Sequence, residues 1–179
     1  GTYGGIDYIF GFQNFARAAE PVYRTIFLDS ARIATEATVI AVLLAYPAAY
    51  AISLAPKAHQ TRYLLLVMLP FWSNYLIRTY AWIVLLNREG LINRALGGLG
   101  LIDEPLALLY NEFAIVVGLL YAYLPFMILT LYASIARLGP DLREASTDLG
   151  GSSLQTFLNV TLPLTVPGIA AGSVFVFVL

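Results

Sequence analysis

Few side chains in this sequence have the chemistry of a catalytic or metal site. Among 179 residues there is one histidine, His59, and no cysteine. Thiolate chemistry and a zinc site built on several histidines are therefore excluded, because zinc in proteins is held mainly by Cys and His. The Gly-x-x-x-x-Gly-Lys-Ser/Thr loop that cradles nucleotide phosphates is also absent from the sequence. We therefore expect no catalytic residue, no metal site and no cofactor.

The segment 139–163 has the pattern of a docking surface. Pro140 suits the first position of a helix, where its missing N–H costs nothing. Gly150-Gly151 can end this helix, and Ser152 or Ser153 can cap a second helix that ends at Pro163. The segment therefore predicts two short helices joined by a glycine bend. The first has an apolar face at helical spacing, Leu142, Ala145 and Leu149, and acidic residues on its polar side, Asp141, Glu144 and Asp148.

A second candidate site is built on Arg78, which interrupts the apolar stretch 63–86. A charge at the centre of a membrane helix costs about 2.5–3.5 kcal/mol, so such a residue is read first as functional. Aromatic side chains of this and the next apolar stretch could line a path for an organic cation through cation–π contacts; they are Tyr75, Tyr80, Trp82, Tyr121 and Tyr123. Snorkelling of Arg78, and packing or interfacial roles for the rings, remain open alternatives.

The segment 139–163 and the residues around Arg78 must both be positioned by the long apolar stretches of the chain. Apolar residues reach 59% and charged residues only 12% of the chain, against about 45–50% and about 25% in soluble proteins. A helix needs about 20 apolar residues to cross a bilayer, and these stretches lack the alternation of barrel strands. We predict an all-α, polytopic transmembrane bundle in contact with lipid, with spans at 30–56, 63–86, 113–137 and 164–179.

Four predicted segments lie beside or between these spans: residues 1–29, 57–62, 87–112 and 138–163. The positive-inside rule does not orient them, because four Lys and Arg residues on one side face four or five on the other. The net charge of −1 gives no basis for binding nucleic acid. The apolar run at 172–179 reaches the end of the sequence, so we expect this to be part of a longer chain.

The segment 139–163 resembles the cytoplasmic EAA loop of ABC importer permeases. The family pattern is Glu-Ala-Ala, three residues, Gly, nine residues, an aliphatic, one residue, then Leu-Pro. The sequence reads Glu144-Ala145-Ser146, then Gly150, then Val160 and Leu162-Pro163, with every gap of the right length. Ser146 replaces the usual second alanine, a small-for-small change.

The rest of the chain from about Phe15 resembles the same family, in particular the polyamine (spermidine/putrescine) permeases. The matching residues are Tyr46-Pro47, Ala49-Tyr50, Leu69-Pro70, Arg78 to Trp82, Gly90 to Asn93, Tyr123 to Phe126, Leu162-Pro163 and Pro167-Gly168. The resemblance implies a single type I permease domain over 1–179 that holds about four of six spans. It places 1–29 and 87–112 in the periplasm, 138–163 in the cytoplasm, and the protein in the bacterial inner membrane.

The resemblance also implies partners and site residues. They are a second permease subunit (identical or different), cytoplasmic ATP-binding subunits that carry out ATP hydrolysis, and a periplasmic substrate-binding protein. The residues implied to couple to the ATPase are Glu144, Ala145, Ser146, Asp148, Leu149, Gly150, Leu162 and Pro163. Arg78, Tyr75, Trp82, Tyr121 and Tyr123 are the candidates for the translocation path.

Other functions stay open at this point. The same permease role could serve an opine, an amino-acid-like solute or a phosphonate. A membrane scaffold would share the hydropathy but not the spacing of the EAA loop. An intramembrane enzyme would need a nucleophile–base pair or a metal cluster, for which the sequence offers little. Co-purification with an ATPase would separate the permease from the other two.

Overall fold

The computed structural model describes residues 21–139 and 141–178, and every helix or strand element in this part is helical. This confirms the all-α prediction. The helices are α1 (Pro21–Leu54), α2 (Lys57–Met68), α3 (Tyr75–Leu86), α4 (Leu91–Gly98), α5 (Glu112–Ala136), α6 (Asp141–Asp148) and α7 (Ser153–Val178). By length and composition, α1, α5 and α7 could each cross a membrane. The described residues fall into two units, 21–32 and 33–178.

The core of the second unit lies where α1, α5 and α7 meet. On α1 it is formed by alanines at every fourth position, Ala37, Ala41, Ala45 and Ala49, each at most 1% exposed. On α5 the fully buried side chains are Met127 and Leu131. Small side chains can let helix backbones approach closely where lipid removes the hydrophobic driving force, and in this structure the pair whose backbones approach most closely is α5 and α7.

Helices α5 and α7 pack closely because α7 carries the small-residue pair Gly168 and Gly172. A Cβ atom on Gly172 would lie 2.5 Å from Met127 Sδ and 2.6 Å from Thr130 Oγ1. A Cβ on Gly168 would collide with the side chain of Ser134. The Gly-x-x-x-Gly spacing thus aligns both glycines along the contact with α5.

The predicted single span at 63–86 is wrong as one continuous helix. Helix α2 ends at Met68, a 3₁₀ turn covers Leu69–Trp72, and α3 begins only at Tyr75. Pro70 causes the break, since proline lacks the N–H that would continue an α-helix. Asn74 then caps α3, and its Oδ1 accepts a hydrogen bond from Leu76 N at 2.8 Å.

The predicted loop 1–29 is also wrong over residues 21–29, because α1 begins at Pro21. Pro21 suits a helix start, and the sequence then contains no Gly or Pro before Pro47. Residues 1–20 lie outside the described residues. The predicted connection 87–112 contains α4. Gly90 lies just before this helix, at a position where a Cβ atom would overlap the carbonyl oxygens of Leu85 and Val84.

At the other end of the chain, the helix expected to stop at Pro163 continues to Val178 as α7. A π turn over Phe157–Thr161 accommodates the proline, and Leu162 N donates to Phe157 O, five residues back. A π turn is a usual way to absorb a disruption of the hydrogen-bond ladder within a helix. The predicted 138–163 loop is therefore shorter in the structure, and 153–163 belong to α7.

Candidate coupling surface and aromatic cluster

Helix α6 ends in a Schellman motif, as the glycine pair predicts. Gly150 adopts a φ of +82°, a conformation that side chains other than glycine disfavour. Gly150 N donates to Thr147 O and Gly151 N to Ser146 O, both at 2.9 Å. These are the two hydrogen bonds that define the motif. The direction in which the chain leaves α6 is therefore fixed by Gly150.

The outer face of α6 is open to solvent. We name it the coupling surface and define it as the exposed residues Glu144, Ala145, Asp148, Leu149 and Gly150. Leu149 is 91% exposed, and Leu142 on the same apolar face is 42% exposed. The predicted Pro140 at the start of this helix lies outside the described residues. Leu142 and Leu149 thus form a small exposed apolar stripe on a helix whose carboxyl end is fixed by Gly150.

Ser146 is turned away from this surface and joins α6 to α7. Its Oγ lies 2.8 Å from the Thr156 hydroxyl, and the Thr156 side chain is buried. Helix α7 is capped by Ser152, whose Oγ accepts from Gln155 N while the Gln155 side chain accepts from Ser152 N. The Ser146–Thr156 hydrogen bond thus joins α6 to the start of α7, and the capping box fixes where α7 begins.

The predicted residues Leu162 and Pro163 are not on α6. They belong to α7, where Leu162 packs against the core of α1, α5 and α7. Pro163 follows the π turn and is exposed. The structure therefore brings together 144–150 and separates the Leu-Pro end of the pattern from them.

Phe157 connects the start of α7 to α1. Its ring contacts Tyr46 and Tyr50 edge-on, with centroid distances of 5.5 and 5.4 Å. The Tyr46 hydroxyl lies 2.7 Å from Thr165 Oγ1 in a buried hydrogen bond. The sequence analysis did not identify Thr156, Phe157 or Thr165. No local pattern marks them, since Tyr46 and Thr165 are 119 residues apart in the sequence.

Arg78 lies in a cluster of aromatic rings at the break between α2 and α3. Its Cζ atom is 5.7 Å from the centroid of Phe71, 5.6 Å from Tyr75 and 5.3 Å from Tyr121. Its Nη1 donates to the carbonyl oxygen of Pro70 at 3.3 Å. Ser73 N and Ser73 Oγ donate to the same carbonyl. Arg78 therefore stabilises the helix break that Pro70 creates.

We call Arg78, Phe71, Tyr75, Trp82 and Tyr121 the aromatic cluster. Trp82 enters it through an edge contact with Tyr121 at 5.4 Å. Phe71 was not among the predicted residues; it contacts Phe126 of α5 at 5.0 Å.

Tyr123 lies two positions after Tyr121, so the two rings leave α5 in different directions. It packs against the core. Tyr80 is 69% exposed.

Asn93 ties the connection between α3 and α5 together. Its Nδ2 donates to Asn87 O at 3.2 Å and to Leu106 O at 3.0 Å, and its Oδ1 accepts from Leu106 N at 2.9 Å. Asn93 is 4% exposed. The sequence analysis recorded it only as part of the resemblance. Among residues 21–139 and 141–178, no group of three or more His, Asp or Glu side chains could hold a metal ion.

Comparison with protein families gives a match over most of the chain. The model of the family described as "Binding-protein-dependent transport system inner membrane component" matches residues 39–179.

Curated relatives include spermidine/putrescine transport system permease proteins PotB. The chain is 39% identical to that of Salmonella typhimurium (strain SL1344) over 171 residues, covering 96% of this chain and 60% of the relative. It is 40% identical to that of Haemophilus influenzae, covering 92% and 57%. The inner membrane ABC transporter permease protein YdcU of Escherichia coli is 37% identical, with 92% and 56% covered. The chain thus spans about 60% of the length of the PotB relative from Salmonella.

Two solved structures share the fold. One is a bacterial ABC transporter involved in the import of the acidic polysaccharide alginate, with a TM-score of 0.66 and 18% identity over 96% of this chain and 62% of that chain. The other is a bacterial alginate ABC transporter in complex with an alginate pentasaccharide-bound periplasmic protein. Its TM-score is 0.67, with 20% identity over 94% and 60%. At these identities the likeness shows the fold alone.

Proposed function

Because the chain belongs to the family of binding-protein-dependent transport system inner membrane components, we propose that it is a permease subunit of an ATP-driven importer. In this proposal it forms half of the path for a small solute in the bacterial inner membrane, beside a second permease subunit. ATP is hydrolysed by separate cytoplasmic subunits, and a periplasmic binding protein delivers the solute. The observation that carries the proposal is the exposed coupling surface, rigidly linked to the membrane helices.

The contacts of α6 suggest how force would enter the membrane part. A partner that moves the coupling surface moves α7 as well, because Ser146 bonds to Thr156. Phe157 follows directly and contacts Tyr46 and Tyr50, so the movement reaches α1. Coupling between distant sites needs such a chain of physical contacts. Leu149 supplies apolar area for the partner, and Glu144 a carboxylate for charge-assisted hydrogen bonds.

For the solute we propose a polyamine. The support is the 39–40% identity to spermidine/putrescine permeases over more than nine-tenths of the chain. The fold does not choose the solute, since the structures that share it concern the acidic polysaccharide alginate. The aromatic cluster adds a chemical argument, because aromatic rings attract organic cations.

Arg78 has a defined place in this proposal. Its guanidinium already lies over Phe71, Tyr75 and Tyr121. A polyamine ammonium group could use the same ring faces only after this guanidinium moved. We therefore propose that Arg78 holds the helix break in shape beside the path, and that Trp82 and the outer faces of the rings meet the solute.

Reconstitution of the full-length permease tests the proposal. The complex with its second permease subunit, ATPase and binding protein would be placed in proteoliposomes and supplied with labelled spermidine. We expect uptake that requires both ATP and the binding protein and that unlabelled putrescine inhibits. Uptake of an amino acid, opine or phosphonate instead would change the solute and keep the permease role.

A purified chain that binds no ATPase would contradict the permease role itself. This outcome separates the two levels of the proposal, because docking of the ATPase does not depend on which solute is carried. The control variant for ATPase docking is Glu89→Lys/Gly97→Val. It changes exposed residues in the 87–112 connection, outside the coupling surface, and should leave docking intact.

A further inference from the structure

A cavity of about 320 Å³ lies where the carboxyl ends of α1 and α5 meet the start of α2 and the inner face of α6. Its polar lining consists of Ser53, Lys57, Gln60 and Arg143. No carboxylate lines it in the described part of the chain. Gln60 is already engaged, since its Nε2 donates to Ser53 O and Ala55 O and its Oε1 accepts from Tyr132. Two basic side chains thus share one cavity.

Arg143 is the unusual member of this group. Its Nη1 is buried and has no hydrogen-bond partner among residues 21–139 and 141–178. A buried, unpaired guanidinium N–H is costly, because the charged donor has lost water and gained nothing in exchange. The carboxylate of Glu144 lines a neighbouring cavity with Arg143 and does not bond to this nitrogen. Arg143 also lines the cavity, through atoms other than the buried Nη1, so an anionic oxygen bound there would lie beside the positive charge of its guanidinium.

The geometry around Lys57 favours the same kind of ligand. Lys57 is the first residue of α2, whose N-cap, Pro56, makes no side-chain capping bond. The first N–H groups of a helix have no intrahelical partner, and they favour anions. Arg143 and Lys57 line one cavity beside a helix start, and this combination fits a phosphate, whose oxygens accept several charge-assisted hydrogen bonds.

The position of the cavity indicates where the phosphate comes from. It lies at the ends of two apolar helices that can cross a membrane, α1 at Leu54 and α5 at Ala136. Arg143 lines the cavity together with these helix ends and is less exposed than its neighbours on the coupling surface. Basic pockets between membrane helices on the cytoplasmic side bind the head groups of anionic lipids, and the side assigned to this end of the helices rests on the proposed function.

We propose that this cavity binds the phosphate head group of an anionic phospholipid, held by Arg143 and Lys57. The lipid would fill the space behind α6 and so support the coupling helix from the membrane side. The proposal concerns a site apart from the solute path, and it stands whichever solute is carried.

Native mass spectrometry of the full-length permease in its transporter complex tests this site. Phosphatidylglycerol or phosphatidylcholine would be added to the delipidated protein. We expect the unmodified protein to retain phosphatidylglycerol in preference to phosphatidylcholine. Lys57→Gln/Arg143→Gln should weaken phosphatidylglycerol binding about tenfold or more, since two charges near the head group are lost.

The matched control is Arg62→Gln/Arg137→Gln, which removes the same charge from exposed residues near the cavity that do not line it. Equal weakening in both double variants would mean diffuse charge attraction and would overturn the site. Equal retention of both lipids would overturn it too. If the double variant does not fold, phosphatidylglycerol binding is measured on Lys57→Gln alone, because Lys57 is exposed and its replacement should not disturb folding.

A soluble anion is distinguished by a second arm with inorganic phosphate. If phosphate at millimolar concentration displaces phosphatidylglycerol from the unmodified protein, the cavity takes free phosphate and the lipid assignment is wrong. If an acidic side chain of another subunit fills the cavity, the assembled complex binds no lipid there while the isolated permease does. That result would also overturn the proposal.

Discussion

The helices α1, α5 and α7 differ sharply from the segment of α2 and α3 in how they are held. Helices α5 and α7 meet closely at two glycines, and the residues by which α1 joins the same core, among them Ala41, Ala45 and Ala49, are almost fully buried. In 57–86 the only buried residue is Leu86. This segment is attached to α5 by the Phe71–Phe126 contact and by the hydrogen bond from Tyr132 to Gln60. Close backbone packing joins α5 to α7, buried side chains add α1 to this region, and a few long side chains hold the other region.

The difference separates two tasks. A closely packed group of helices has few alternative arrangements, because cores pack at the density of crystals and transmit displacement. Such a group is suited to pass a movement of the coupling surface on to α7 and α1, as proposed above. A segment with an open surface and a helix break suits contact with a solute or with further helices. The aromatic cluster, where Arg78 lies, is in the second region, and the coupling surface is joined to the first.

The largest expected effect comes from filling the close contact between α5 and α7. Gly172→Leu would place a side chain where Met127 and Thr130 already lie. Overpacking costs about 1–3 kcal/mol, occasionally more, and here it separates two backbones. We expect little folded permease in the membrane fraction, measured by fluorescence-detected gel filtration.

The control for that change is Gly118→Leu. Gly118 is on α5, and a Cβ there meets nothing within 4 Å. If both variants fold equally well, the close packing of the three helices does not matter and the comparison between the two regions fails.

The next effect concerns the open region. Arg78→Leu removes three cation–π contacts and one hydrogen bond to Pro70 O. Each cation–π contact is worth about 0.5–2 kcal/mol, so we expect the break between α2 and α3 to loosen and uptake to fall severalfold. Insertion into the membrane should persist. Arg78→Lys keeps the charge but loses the planar group, and it should restore uptake only in part. If uptake by Arg78→Leu is unchanged, Arg78 has no role in transport and only extends its charged group toward the membrane surface.

A smaller effect is expected where α6 joins α7. Ser146→Ala leaves the buried Thr156 hydroxyl without its partner, at a cost of about 1–3 kcal/mol. We expect ATPase binding to persist and solute-stimulated ATP hydrolysis to decrease, because the helix still docks but transmits less. Thr147→Ala is the control, since the Thr147 hydroxyl bonds only within α6. Equal effects of the two changes would argue against a specific link.

The smallest effect is expected within the rigid region. Tyr46→Phe removes the hydrogen bond to Thr165, and such bonds between membrane helices average about 0.6 kcal/mol. Thr165 keeps its bonds to the carbonyl oxygens of Thr161 and Leu162. We therefore expect a small fall in thermal stability and near-normal uptake. A total loss of uptake would show that this hydroxyl does more than join two helices.

The lengths of the uncharged stretches and the residues that favour turns were enough to predict much of this fold. The uncharged stretch at 113–136 and the Gly150-Gly151 pair correctly predicted α5 and the end of α6, because both depend on neighbouring residues. The effects of Pro70 and Pro163 were not predictable in this way. One proline ends a helix and the other is absorbed by a π turn, and the outcome depends on which packing surrounds each.

The candidate sites show the same limit. The exposed residues 144–150 follow from spacing along one helix, so the sequence could identify them. Thr156, Phe157 and Thr165 act through contacts with residues distant in the chain. Phe71 joins Arg78 only because the chain turns at Pro70. Such contacts are set by tertiary packing, and no local pattern encodes them.

Solute-stimulated ATP hydrolysis by Glu144→Lys/Gly150→Val, in the full-length permease with its partners, tests the central claim most directly. Gly150 has a φ of +82°, which valine strongly disfavours. We predict loss of ATPase co-purification and of stimulated hydrolysis, with Glu89→Lys/Gly97→Val unaffected. If the Glu144→Lys/Gly150→Val variant keeps both properties, α6 is not the coupling element and the account is contradicted.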